Sequence, residues 1–236
     1  MENPALIQML AIFILPILFA ITVHEAAHGW VAKRLGDRTA EMLGRVTFNP
    51  IRHIDLFGTI ILPIGMYLIT SSIYGAGFMF GWAKPVPVDW RNLNNPKRDM
   101  GLVALAGPGA NLLMALVWSI LIYAGVMLLN AFTWLGQPLV FMGVAGVFFN
   151  TMLMVLNLIP IPPLDGGRVL ISLLPPKQGQ ILSRIEPYGL VIVMGLLLSG
   201  AFGYILWPLV EFTIKLLPAS DIVYRLIPNI LSPARS

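Results

Sequence analysis

The sequence predicts an all-α polytopic membrane protein, and three observations carry that prediction. Only 11% of its 236 residues are charged while 57% are hydrophobic, with a mean hydropathy of +0.81. Soluble domains carry about 25% charged residues, so this chain cannot coat a globule with polar surface, and lipid must solvate much of it. The apolar residues also come in continuous runs, without the two-residue alternation of a membrane barrel strand. Finally, the basic residues gather in short loops between the runs, the pattern by which membrane proteins orient themselves.

The first run, about Ala5 to Trp30, is long enough to cross roughly 30 Å of hydrocarbon. A mixed stretch follows with Lys33, Arg34, Arg38, Arg45 and Arg52. The next apolar segment, 56–82, is interrupted by Pro63, Gly65, Ser71, Ser72, Gly75, Gly77 and Gly81. A second basic loop carries Lys84, Arg91, Lys97 and Arg98, and within it Lys84-Pro85-Val86-Pro87-Val88 reads as extended chain, because each proline turns its predecessor away from helix. Two clear spans, 100–129 and 138–159, are joined by an uncharged connection. A loop with Arg168, Lys177 and Arg184 leads to a final span over 188–214, and the tail, 215–236, is proline-punctuated and mildly amphipathic, suited to a membrane interface.

Short loops rich in Lys and Arg stay in the cytoplasm. This places 33–52, 84–98 and 168–184 inside and the N-terminus outside. Both ends of 56–82 then lie on one side, so it is expected to be a re-entrant or hairpin element, or a pair of short spans. The expected architecture is about four full transmembrane helices plus that segment, with short cytoplasmic-side extended strands in the 38–50 and 84–90 regions. Parity puts the C-terminus outside, against which stand Arg225 and Arg235. The whole chain, 1–236, reads as one integral-membrane domain, with a core over 5–175 and a C-terminal span and amphipathic tail over 176–236.

No segment is expected to be a cleavable signal, since Met1-Glu2-Asn3-Pro4 lacks a basic region. Cysteine is absent, so disulfides and thiolate ligands are excluded and any metal must use His, Asp, Glu or Asn. A net charge of +4 without a basic face argues against nucleic-acid binding.

The chain has only three histidines, and two stand in His24-Glu25-Ala26-Ala27-His28 at the inner end of the first uncharged run. Imidazoles four apart share a helical face and can share a metal, with the intervening Glu as a base. An acidic residue deep in a span costs roughly 2.5–3.5 kcal/mol by insertion scales, so by default it marks a functional site. A zinc site needs at least three protein ligands, with an open position when catalytic. Asp165 is the best third candidate, in Asn157-Leu158-Ile159-Pro160-Ile161-Pro162-Pro163-Leu164-Asp165-Gly166-Gly167, where prolines and glycines break a span open. His53 and Asp55 are the rivals. Asn111, in Gly107-Pro108-Gly109-Ala110-Asn111, suits a helix–helix hydrogen bond, and Gly146 to Asn150 suits packing.

Those strings, HEAAH at 24–28, GPGAN at 107–111 and NLIPIPPLDGG at 157–167, resemble the site-2 protease family of zinc intramembrane metalloproteases. NPIRHID at 49–55 and FGWAKPVPVDWRNLNNPKRD at 80–99 are similar to a compact bacterial or archaeal branch of it, without PDZ or CBS domains. The resemblance implies that His24, His28 and Asp165 bind one zinc ion per chain, that Glu25 is the catalytic acid/base, and that Asn157 acts near substrate or oxyanion. It implies an endopeptidase that cuts a membrane-protein substrate in or near a transmembrane segment, in the prokaryotic cytoplasmic membrane with its active site toward the cytoplasm. The alternative is a transporter or ion pathway that uses Glu25, Asp55 and Asp165 without hydrolysis. Oligomeric state is not encoded in these features.

Overall fold

The computed structural model describes residues 6–74 and 81–231. Its first element, α1 (Leu6–Arg34), runs without a charge until Glu25 and closes on Lys33 and Arg34, cations that suit a helix C-terminus. A single turn, α2 (Thr39–Met42), and a 3-10 turn at Pro50–His53 follow. A π-helical stretch at Leu56–Ile61 then runs into α3 (Leu62–Tyr74). Next come α4 (Pro96–Leu128) and α5 (Thr133–Asn157). The rest of the described chain comprises α6 (Asp165–Leu173), α7 (Pro176–Ser183), α8 (Glu186–Leu198), α9 (Ala201–Leu216) and α10 (Ser220–Leu231).

α1, α4 and α5 pack on one another and form the frame. α4 begins on Pro96, where a missing N–H costs nothing, and Asp99 reaches back to accept the Asn95 N–H at 2.8 Å. Lipid gives helices no hydrophobic reason to associate, so close approach of small residues must supply it. At Gly146 a Cβ would stand 2.3 Å from the Trp118 ring, and at Gly143 2.5 Å from Ile122. The core between these helices is completed by Val140, Val144 and Val147, all fully buried.

Among the described residues, three helices are long and apolar enough to cross a membrane: 12–34 of α1, α4 and α5. The described residues give a fourth span if α7 and α8, bent by 62°, are counted together. The final span expected over 188–214 is broken, because Gly200 takes a left-handed conformation (φ 75°) that ends α8 and starts α9. α9 then buries Phe202, Leu206, Val210 and Ile214, a stripe at every fourth residue, and packs against α5. The tail expected at the interface is α10, whose apolar face with Val223 and Ile227 joins the same core.

Segment 56–82 leaves and returns to one place. The Trp82 N–H donates to Gly58 O at 3.0 Å, and the Thr59 hydroxyl donates to Trp82 O at 2.8 Å. The two ends of the segment therefore meet; its tip, 75–80, lies outside the described residues.

The expected strands are not formed among the described residues. The 38–50 region is helical at α2 and then irregular. Residues 82–89 form neither helix nor strand, and their donors go to loops and side chains instead of a ladder. Lys84 N–H donates to His53 O (2.9 Å), Val86 N–H to Glu25 Oε2 (2.7 Å) and Asp89 N–H to Asp37 Oδ2 (2.8 Å). Successive strand residues face opposite edges. The edge opposite Lys84 and Val86 carries Pro85 and Pro87, which have no N–H to offer a second strand.

Asp37, fully buried just beyond α1, pins this strap to the helix end. It accepts from the Thr39 hydroxyl and N–H, the Asn92 amide and the Asp89 N–H. Burial works to raise its pKa, but these donors outweigh it and hold the carboxyl below its ordinary value. A depressed folded-state pKa contributes stability above the unfolded value, and that contribution is lost as pH falls through the folded value. Asp37→Asn is therefore expected to lower unfolding stability in detergent by about 1–3 kcal/mol at neutral pH. The gap from wild type should narrow as pH is taken below about 4, read by thermal melts across pH.

Candidate metal centre

His24 and His28 stand one turn apart on α1, both buried. α4 crosses them and supplies a partner for each outer ring nitrogen. His24 Nδ1 meets Asn111 Oδ1 at 2.5 Å, and His28 Nδ1 meets the Val103 carbonyl at 2.7 Å. The orientation of Asn111 is fixed by its own amide, which donates to Ala20 O (3.1 Å) and to Asn150 Oδ1 (3.0 Å), while Asn150 donates to Gly146 O (2.8 Å). Asn111 therefore presents an acceptor to His24. In the neutral rings these acceptors place the proton on Nδ1, which leaves both Nε2 atoms as lone pairs.

Those two Nε2 atoms lie 3.0 Å apart. Neither has a proton to give the other, so this contact is no hydrogen bond. Asp165 completes the triangle, with Oδ2 at 3.2 Å from His24 Nε2 and 3.3 Å from His28 Nε2. Asp165 Oδ2 is buried without a hydrogen-bond partner. Three electron-rich atoms meeting away from water ask for a cation between them. Among the described residues, these three form the one cluster of His or carboxylate groups able to share a metal ion.

Asp165 reaches this position because the chain breaks after α5. Prolines 160, 162 and 163 prevent α5 from continuing, and α6 begins on Asp165, where a carboxylate suits the helix N-terminus. The two glycines after it allow the turn to seat. A Cβ on Gly166 would lie 2.2 Å from Leu158 O, and one on Gly167 2.2 Å from Pro162 N. Asp-Gly-Gly thus serves close backbone packing.

Glu25 is half-buried beside the cluster, with Oε2 on the Val86 N–H. Asn157 is the last residue of α5, and its amide donates to Leu153 O at 2.9 Å, outside the three-residue cluster. The rivals are engaged elsewhere. His53 is buried with Nε2 on Thr47 O (3.0 Å), and Asp55 caps the π-helical turn by accepting the Gly58 N–H (2.7 Å).

Reading side chains along the sequence missed four contributors. Asn111 orients His24, although only a helix–helix bond was expected of it. The Val103 carbonyl and Val86 amide are backbone groups, which no residue type signals. Gly107 was also missed: a Cβ there would come 2.4 Å from His28 Nε2 and 2.6 Å from His24 Nε2. It leaves room at the donor atoms themselves, and its spacing of four from Asn111 places both on the α4 face that meets the histidines.

A helical frame with at least three membrane-length spans, enclosing a buried His–His–Asp triangle beside a carboxylate, defines an integral membrane protein with a candidate catalytic metal centre. The chain belongs to peptidase family M50, whose sequence pattern matches residues 12–137 and 130–200. It is 33% identical to a Bacillus subtilis protein named "Putative zinc metalloprotease YwhC", over 96% of this chain and 95% of that one. It is 32% identical to "Putative zinc metalloprotease Rip2" of Mycolicibacterium smegmatis, over 83% of this chain and 71% of that protein. The Rip2 of Mycobacterium tuberculosis is 29% identical over 80% and 70% of the two chains. No solved structure matches the sequence.

Gly107→Ala is expected to abolish bound divalent metal, because its methyl drives into both Nε2 atoms. Gly109→Ala, whose Cβ meets nothing within 4 Å, should leave metal content unchanged. Elemental analysis of the two purified variants compares them directly.

Proposed function

We propose that this enzyme is a zinc-dependent intramembrane endopeptidase, with His24, His28 and Asp165 holding one zinc ion per chain and Glu25 as the general acid/base. The observation that carries the proposal is the buried triangle of Nε2, Nε2 and Oδ2 atoms. Tetrahedral bonds of about 2.0–2.1 Å separate donors by about 3.3 Å, against 3.0, 3.2 and 3.3 Å here. Zinc is also the metal in the names of the relatives. Bound there, it supplies a Lewis acid and brings a water's pKa toward about 7.

Glu25 takes a proton from the attacking water and delivers it to the leaving amine, which needs a carboxylate reachable from the substrate side. Its partial exposure beside three buried ligands fits that task. Asn111 and the Val103 carbonyl keep the two rings in one tautomer and orientation. Asn157, at the mouth of the loop leading to Asp165, donates to the oxyanion after leaving its resting bond to Leu153 O.

The substrate is a transmembrane protein, entering from lipid with the active site toward the cytoplasm, the side on which the basic loops place both the HEAAH end of α1 and Asp165. A helical substrate hides its carbonyls in its own hydrogen bonds, so the segment must unwind before it is cut. Pro85 and Pro87 take two donors from the outer edge of the strap at 82–89, which weighs against clamping by strand addition.

The decisive experiment reconstitutes the protein in liposomes with a single-span substrate and follows both cleavage and zinc content. Glu25→Gln should retain zinc and lose about 10²–10⁴-fold in rate, whereas Asp165→Ala should lose zinc and activity together. Zinc at full stoichiometry without Asp165 would refute the ligand set. In the same assay, replacing Gly, Pro, Asn or Ser near the cut site by Leu should slow cleavage; an unchanged rate would remove the unwinding step.

A further inference from the structure

The strap at 82–89 is held more firmly than a loop needs. Its inward amides at Trp82, Lys84 and Val86 donate to Gly58 O, His53 O and Glu25 Oε2, at 3.0, 2.9 and 2.7 Å. Arg45, buried and without a carboxylate partner, donates to Lys84 O at 2.8 Å and Pro85 O at 3.4 Å. Asp37 fixes the far end at Asp89. All of these anchors are structural except one. The Val86 amide alone is aimed at a residue of the catalytic centre.

We propose that the backbone N–H of Val86 is the positioning donor for Glu25, holding Oε2 so that Oε1 is the oxygen that exchanges the proton. The proposal rests on Glu25 being the acid/base. Glu25 Oε1 takes no hydrogen bond from the described residues, which leaves it open to water. Oε2 accepts the amide whether the carboxyl is charged or neutral, so the same bond persists through proton uptake and release. A carboxylate on a side chain with several free torsions otherwise wanders, and a misplacement of about 1 Å costs about 10²-fold in rate.

The sequence around Val86 is suited to aiming one amide. Pro87 confines Val86 to extended backbone, and Pro85 fixes the φ just before it. The Val86 side chain is buried against α1 at Gly29, where a Cβ would come 3.0 Å from Val86 Cγ1 and 2.9 Å from Val46 Cγ2. Gly29 is one turn beyond Glu25 on the same face. The side chain thus anchors the strap one turn away from the carboxylate that the amide addresses.

The test removes the N–H. Two changes do so: Val86→Pro, which also replaces the side chain, and the α-hydroxy analogue of valine at position 86, which keeps the side chain and replaces the amide by an ester. Val86→Ala keeps the amide and trims the side chain. In the liposome assay the proline and ester forms should lose about tenfold to a hundredfold in kcat, with KM and zinc content within about twofold of wild type. Val86→Ala should retain at least about tenfold more kcat than either. The ester form decides the matter where the proline form fails to fold. Full kcat without the amide, zinc loss in the ester form, or a fall in Val86→Ala as deep as in the ester would overturn the proposal. An active Glu25→Gln would instead retire the acid/base assignment, so the two failures are told apart.

Discussion

Two bare imidazole nitrogens and a carboxylate oxygen, each within 3.3 Å of the others and shielded from water, repel one another unless a positive charge sits among them. Much of the fold around them works against that repulsion. α1 supplies a face with two rings one turn apart. α4 presses a residue without a side chain against both donors and captures both outer nitrogens with oxygen acceptors. α6 starts on the third donor and is wedged by two glycines onto the backbone of the loop before it. Each contact removes a freedom by which the three atoms could separate.

Low dielectric makes these restraints effective. In water, the Asn111–Asn150 amide pair would exchange for solvent at little cost; between α4 and α5 both are fully buried, and losing a partner leaves a desolvated polar group. Pro108 on the same helix has no N–H to offer the Ala104 carbonyl, one residue beyond the Val103 carbonyl that receives the His28 ring N–H. Stability and site geometry are therefore the same set of contacts, and the polar network is one reason the helices stay in register.

Much of the molecule was legible from residue order. Charge scarcity gave the class, and run length gave α1, α4 and α5; that the ends of 56–82 meet is seen in the Trp82–Gly58 bond. The final span was misjudged because hydropathy averages over a window and does not register one glycine with φ 75°. The strands were misjudged because an extended X-Pro-X-Pro-X segment has the dihedral signature of a strand but half its donors. Amphipathicity states that the tail helix has an apolar face, and α10 sets Val223 and Ile227 of that face on the core.

Residue type and spacing by themselves determined that this chain lives in a membrane, that two imidazoles share a helix face, and that a carboxylate at 165 follows a broken span. These are local properties, set by composition and by the 3.6-residue helical period. Only the tertiary structure decided that Asp165 meets the pair, which ring nitrogens face acceptors, that Val103 O and Gly107 touch the histidines, and that the Val86 amide meets Glu25. Those depend on atoms brought together across up to 141 positions of chain, between His24 and Asp165, and on backbone groups every residue carries alike, so no side-chain pattern can announce them.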